Sequence, residues 1–270
     1  MAERLASGEA RNIAGPLKIP QAYETIRGMS QTLYRRDLAE LHNTYYSGYA
    51  RNAAPSVILM LHAAGVRSGV VCDLGCGGGQ LTGHLLKAGF KAMGLDVSPS
   101  MIRIARRQYP DARFIRGSID RVALPNCAAA IAVGEVVNYL GSRGRMQQAF
   151  RNVFRSLRPG GVFLFDVKEP ARHAHAPAQL HVRSGPRWAL FAQIKENPRR
   201  NELVRTISSF RQQGLSYRRQ NEVHRLSVYK AGDVARWLRS IGFHVRIYKG
   251  YGKFALSDGR RVLLARKPRA

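Results

Sequence analysis

Seven consecutive residues, Asp73-Leu74-Gly75-Cys76-Gly77-Gly78-Gly79, constrain this chain more than any others. A short apolar run, residues 69–74 (GVVCDL), leads into them, and a helix-compatible stretch at 80–89 leaves them. Glycine takes positive φ without the Cβ clash other residues suffer, and it lets a second backbone or a ligand come close. Glycines between a buried strand and a helix therefore describe a turn over which a ligand can lie. A dinucleotide-binding loop needs another glycine at the sixth position counted from Gly75. That position is Gln80, so the nicotinamide fingerprint fails while D-x-G-x-G-x-G is intact.

The flanking sequence repeats the strand–helix alternation. Residues 91–96 (KAMGLD), 112–116 (ARFIR), 128–133 (AAAIAV) and 162–167 (VFLFDV) read as strands. Helices are expected over 80–89, from Ser98-Pro99 to Gln108 with Ser98 as cap, and over 143–157, ended by Pro159-Gly160-Gly161. This order implies a parallel sheet covered on both faces. Two helices precede it, at 31–47 and at 53–64 with Pro55 in its first turn, and residues 1–30 read as an irregular arm. After residue 170 the alternation stops. Residues 187–195, 202–211 and 215–229 look like successive antiparallel strands, 231–241 like a helix, and 243–249 with 261–266 like a closing strand pair. The chain thus divides into an arm and lid helix (1–50), a core (51–170), an antiparallel insert (171–230) and a completing segment (231–270).

An acid followed by G-x-G-x-G at the end of the first strand resembles the class I S-adenosylmethionine (SAM)-dependent methyltransferases. The resemblance covers about residues 40–170 and the final strand pair. It implies an α/β fold, a Rossmann-like seven-stranded sheet in the order 3-2-1-4-5-7-6 with its last strand antiparallel, and an inserted antiparallel β cap over the carboxyl ends of the strands. It implies SAM as cofactor. Asp73 would anchor the methionine ammonium, directly or through water, and Gly75, Cys76, Gly77 and Gly79 would line the loop. Asp96, at the end of the second strand, suits the two ribose hydroxyls, although an acid before Ser98-Pro99 also fits a helix N-terminus. Val97, Ser98 and Met101 would flank the adenine. After the third strand many members of the family carry an acid following a glycine; here the segment is Gly117-Ser118-Ile119, with Ser118 and Ile119 left for the base. The fourth strand ends in Gly134-Glu135-Val136-Val137-Asn138-Tyr139-Leu140, similar to bacterial small-molecule methyltransferases and unlike the Asn/Asp-Pro-Pro-Tyr/Phe of base-methylating enzymes.

Methyl transfer from a sulfonium relies on holding the nucleophile in line, and a general base is needed only where the nucleophile must lose a proton. Candidate catalytic residues are Glu135, Tyr139 and His224. Candidate acceptor-binding residues are Tyr46, Asn138, Tyr139, Arg218 and His224. His224 also fits a half-buried strand residue, Arg218 a solvated basic face, and Tyr248, Tyr251 and Phe254 core packing.

Charge keeps a second substrate class open. The net charge is +27, and residues 171–270 carry 22 Lys/Arg against 5 Asp/Glu. Such a surface attracts an anionic acceptor or nucleic acid. The preferred reading is a small-molecule acceptor, an anionic one included. The alternatives are an RNA methyltransferase, disfavoured because no RNA-binding module or Pro-Cys motif accompanies the charge, and a SAM-binding protein without catalysis. Cys72 and Cys76 have the spacing of a zinc half-site, but Cys127 is the only other cysteine, so no metal is expected. His173 and His175 fall in a loop-like stretch. No run is long and apolar enough to span a membrane, and no signal-peptide pattern opens the chain, so a cytoplasmic protein is expected. A homodimer is compatible with a cap of this kind.

Overall fold

The computed structural model describes residues 33–171 and 178–269. The expected arm over 1–30 and both loop histidines, His173 and His175, lie outside them. Strands β1 (Val70–Leu74), β2 (Lys91–Asp96), β3 (Arg113–Arg116), β4 (Cys127–Ala132) and β5 (Leu157–Lys168) are parallel where they pair. The strands β6 (Gln179–Gly185), β7 (Trp188–Asn197), β8 (Glu202–Gln213) and β9 (Ser216–Ser227) form a separate antiparallel sheet in sequence order. The chain then returns through β10 (His244–Tyr248), a small pair β11 (Gly250–Tyr251) and β12 (Phe254–Ala255), and β13 (Arg260–Arg266). The main sheet has the order β10-β13-β5-β4-β1-β2-β3, with β13 antiparallel to both neighbours. This is the expected seven-stranded order.

The sequence accounts for these elements. β4 is CAAAIA and buried at every residue, as a central parallel strand between two helical layers must be. Helices α1 (Arg36–Leu41), α2 (Gly48–Ala63), α3 (Gln80–Lys87), α4 (Pro99–Gln108), α5 (Arg143–Ser156) and α6 (Ala231–Ile241) complete the described fold. Ser98 caps α4 by accepting from the Met101 N–H at 3.2 Å, with Pro99 at the first helical position. The sheet faces carry two apolar layers. Phe150, Phe163 and Phe165 belong to one; Val57, Leu61, Val71, Ile131 and Tyr251 belong to the other.

Three expectations differ. The helix expected over 31–47 is the short α1 followed by a π-turn, His42–Tyr46, a wider turn than an α-helix allows. α2 starts before residue 53, so Pro55 sits inside it and not in its first turn. The insert has four strands: β6 (QLHVRSG) lies on an exposed sheet edge, and its alternation rests on only two apolar residues, Leu180 and Val182, both exposed. The three cysteines are free and buried, and the described residues contain no group of three or more His, Cys, Asp or Glu that could hold a metal. No helix among them is long and apolar enough to cross a membrane.

Candidate active site

The glycine loop turns its amides inward. The N–H groups of Gly75 and Cys76 both donate to Leu95 O, at 2.6 and 3.0 Å, and the Gly79 N–H donates to Cys76 O. Gly77 N–H donates to Asp96 Oδ2 at 3.0 Å. A loop built this way does not present the ring of free N–H donors that a pyrophosphate needs. Close packing explains the glycines. A Cβ on Gly75 would meet Val136 at 2.5 Å and would sit at φ +69°. Gly78 lies against Asn43, whose Oδ1 is buried without a hydrogen-bond partner.

Beneath the loop, Asp73 accepts from Thr82 Oγ1 at 2.6 Å. Burial pushes its carboxyl up to about 7, against the opposing pull of the Thr82 bonds. Asp96 is half-buried at the end of β2, its oxygens accepting from Gly77 N–H and, at 2.8 Å, from Ser98 N–H. Burial raises its pKa as well, and these backbone bonds resist the shift. Val97 is 43% exposed, while Met101 is buried with Ala39 and Ile104 beside Tyr34. Cys76 is packed against Ile102, Ala105 and Phe114. Ser118 is tied to Asp120 and to Arg145, and Ile119 belongs to the core.

The carboxyl end of β4 is held differently. Gly134 and Glu135 donate their N–H groups to the two oxygens of Asp166, at 2.7 and 3.0 Å, and Tyr251 OH donates to the same carboxylate. Glu135 sits at φ +63°, an uncommon conformation for a residue with a side chain. Its own carboxylate lies between two guanidinium groups, Arg205 at 2.6 Å and Arg260 at 2.8 Å. Burial alone would raise its pKa; the arginines overcome that and hold it below the ordinary range. Arg205 also donates to Tyr139 OH at 3.1 Å.

The remaining acceptor-side residues divide into two groups. Tyr139 and His224 come together: their ring centroids are 5.7 Å apart, and Tyr34 lies 4.9 Å from His224. His224 Nε2 is 3.0 Å from Glu222 Oε2. The others face elsewhere or are engaged. Asn138 is a clasp: its amide donates to Lys168 O and Ser227 O, and its carbonyl accepts from Lys168 N–H. Arg218 donates to both oxygens of Asp37, which pins α1 to the antiparallel sheet. Tyr46 stacks on His42 at 6.0 Å, with Arg183 over its ring. Tyr251 is buried, whereas Tyr248 is partly exposed.

The sequence reading missed Tyr34, Asn43, Asp166, Arg205, Glu222 and Arg260. Two signals were available. Asp166 is an acid inside an apolar strand, and Glu222 lies two residues before His224, hence on the same strand face.

Residues 71–161 match a family model described as a methyltransferase domain. The chain is 25% identical over 187 residues to YqeM of Bacillus subtilis (strain 168), a protein named as a methyltransferase, covering 66% of this chain and 74% of that one. It is 22% identical over 227 residues to the dTDP-3-amino-3,4,6-trideoxy-alpha-D-glucopyranose N,N-dimethyltransferase of Streptomyces venezuelae, covering 81% and 94%. Among solved structures, the CcbJ methyltransferase from Streptomyces caelestis superposes with a TM-score of 0.75 at 15% identity, over 90% of this chain and all of that one.

Proposed function

From the premise that this chain belongs to the class I SAM-dependent methyltransferases, we propose that it methylates a small acceptor bound between the carboxyl end of the main sheet and the antiparallel cap. The observation that carries the cofactor side is the pairing of an inward-turned glycine loop with Asp96. Each oxygen of that carboxylate accepts one backbone N–H and keeps capacity for a ribose hydroxyl. The loop offers no phosphate cradle, which suits a nucleoside whose other end is a cationic amino acid. Asp73 supplies the negative charge for the ammonium, and the unpartnered Asn43 Oδ1 beside Gly78 supplies a further acceptor. When bound, the cofactor supplies a methyl group on a sulfonium, ready for in-line displacement. Ser118 is held by Asp120 and Arg145 and Ile119 packs in the core, so the adenine falls to the exposed Val97 beside Asp96.

The acceptor side is built from the end of β4 and the cap. Glu135 is neutralised by Arg205 and Arg260, so it serves as a fixed counter-charge and not as a proton acceptor. Through Glu135 and Tyr139, Arg205 holds the cap against the core. The S. venezuelae relative is named for an amino sugar, and other relatives are named as malonyl-acyl-carrier-protein O-methyltransferases. Those names support a small acceptor here and leave its reacting atom open. The arginine that the sequence offered for an anionic acceptor, Arg218, is paired with Asp37, and Arg225 on the same strand is paired with Glu202.

Titration calorimetry with SAM and with NAD tests this reading. Micromolar SAM binding, lost in Asp96→Ala and absent for NAD, is the expected result. NAD binding, or SAM binding that survives Asp96→Ala unchanged, would overturn it. A repeat with total RNA present examines the nucleic-acid reading: RNA-dependent SAM binding would favour it over a small acceptor.

A further inference from the structure

We infer that Glu222 and His224 form a buried acid–base pair whose His224 Nδ1 accepts a proton from the methyl acceptor, so that the acceptor is an amine or a hydroxyl and not a carboxylate. This rests on the methyltransferase reading and adds a reacting atom to it.

The argument starts from an unused atom. His224 is 1% exposed, and its Nδ1 has no hydrogen-bond partner among the described residues. Its other nitrogen, Nε2, faces Glu222 Oε2 at 3.0 Å. Glu222 is 5% exposed, and its second oxygen accepts the Arg35 N–H at 2.9 Å, with the Arg35 guanidinium 3.9 Å away. Both of these neighbours are donors, so a Glu222 carboxylate meets them, and His224, as an acceptor. An anion can only accept, so the network assigns the proton to Nε2 and leaves the Nδ1 lone pair bare. A histidine serving only as packing gains nothing from a buried nitrogen without a partner, because an unsatisfied buried acceptor is unfavourable.

The position is on the acceptor side of the site. The charged and titratable groups around the imidazole are Glu222 on β9, Arg205 directly across on β8, Tyr139 from the turn after β4, and Tyr34, Arg35 and His42 from the segment leading into and following α1. Tyr34 links this group to the cofactor side. Its carbonyl accepts from Ser98 Oγ at 2.8 Å, and Ser98 N–H donates to Asp96. Tyr34 holds φ +49°, so this bridge is made in an uncommon backbone conformation.

The step balances without another reactant. A protonated amine gives its proton to Nδ1 first, which frees the nitrogen lone pair; a hydroxyl gives it up as the O–C bond forms. The new N–C or O–C bond replaces the C–S bond, whose electron pair stays on sulfur. His224 becomes an imidazolium stabilised by Glu222 and later returns the proton to solvent. A carboxylate acceptor carries no proton to remove and would leave this pair without a use.

The test uses the full chain in three forms: wild type, His224→Gln and Glu222→Gln. Long-range proton–nitrogen correlation of 15N-labelled protein, with SAM present, should show one imidazole with Nε2 protonated and Nδ1 bare. That signal should vanish in His224→Gln and move towards a mixed tautomer in Glu222→Gln. An equimolar pool of hexosamines, hexoses and hexuronic acids is then supplied with methyl-labelled SAM. Label should enter the amine or hydroxyl fraction and fall by about 100-fold or more in His224→Gln, the usual scale for losing a general base. Glu222→Gln, a positioning change, should lower kcat without raising KM. A protonated Nδ1, label in the carboxylate fraction, or wild-type turnover in His224→Gln would overturn the proposal. SAM affinity should be unchanged in both variants. Failure of the wild type to bind SAM would sink the methyltransferase reading instead, and the imidazole signal keeps the two failures apart.

Discussion

The two halves of the candidate site are made in opposite ways. The cofactor half draws most of its groups from residues 73–101, two strand ends and the turns that follow them. The acceptor half draws Tyr34, Glu135, Tyr139, Arg205, Glu222, His224 and Arg260 from across the chain. In the first half the constraint is on the backbone: positive φ, amides turned inward, no room for a Cβ beside Val136. In the second it is on side chains brought together from the main sheet, the cap and the segment before α1. The lesson is that backbone constraints are local and can be satisfied by consecutive residues, whereas a side-chain constellation needs the whole fold first.

The sharpest way to break this contrast is Asp96→Ala. It should weaken SAM binding by at least about 100-fold, since a charged acceptor is lost from several bonds at once. Cap stability should stay the same; a variant that unfolds the cap would show that the halves are not separable. Next is Asn138→Ala, which removes two hydrogen bonds to the end of β5 and one buried hydrogen bond from the core to the cap at Ser227. A loss of about 2 kcal/mol in urea unfolding is expected, with SAM affinity preserved within a few-fold. The third concerns pH. With the Asp73 carboxyl pushed up to about 7, the charge that would meet an ammonium is present above that pH and is lost as pH falls through it. SAM affinity should therefore drop by up to about tenfold per pH unit below 7, and Asp73→Asn should flatten the profile by calorimetry. The smallest effect belongs to Arg218→Gln. Its partner Asp37 also has Arg211 at 3.7 Å, and Arg218 is solvent-exposed, so urea midpoints should not move measurably. A large shift there would mean that the docking of α1 depends on this one pair.

The same contrast explains what could be read from the chain before it folds. The sheet order, the closing antiparallel strand, the Ser98-Pro99 helix start and the glycine loop all follow from local patterns and one family resemblance. β6 escaped notice because its alternation is short, resting on Leu180 and Val182 alone, beside a Gly-Pro turn signal. Arg205 and Arg260 were indistinguishable from the many other arginines of a chain with +27 net charge; only the position of Glu135 singles them out. Arg218 illustrates the reverse. It looked available for an anionic acceptor, and the acids of α1, a segment 181 residues earlier, occupy it. Asn138 was read as a substrate contact, because sequence cannot tell an amide that faces a ligand from one that closes a joint.

That joint has a consequence for how such chains diversify. Everything Asn138 grips is main chain: the carbonyls of Lys168 and Ser227 and the amide of Lys168. No side-chain identity in the inserted sheet is needed to satisfy it. A lineage could therefore replace the whole stretch between those two residues with a different sheet and still seat it on the same hinge point, leaving the nucleoside pocket unaltered. The asparagine is a socket for main chain, and the sheet seated on it is the exchangeable part.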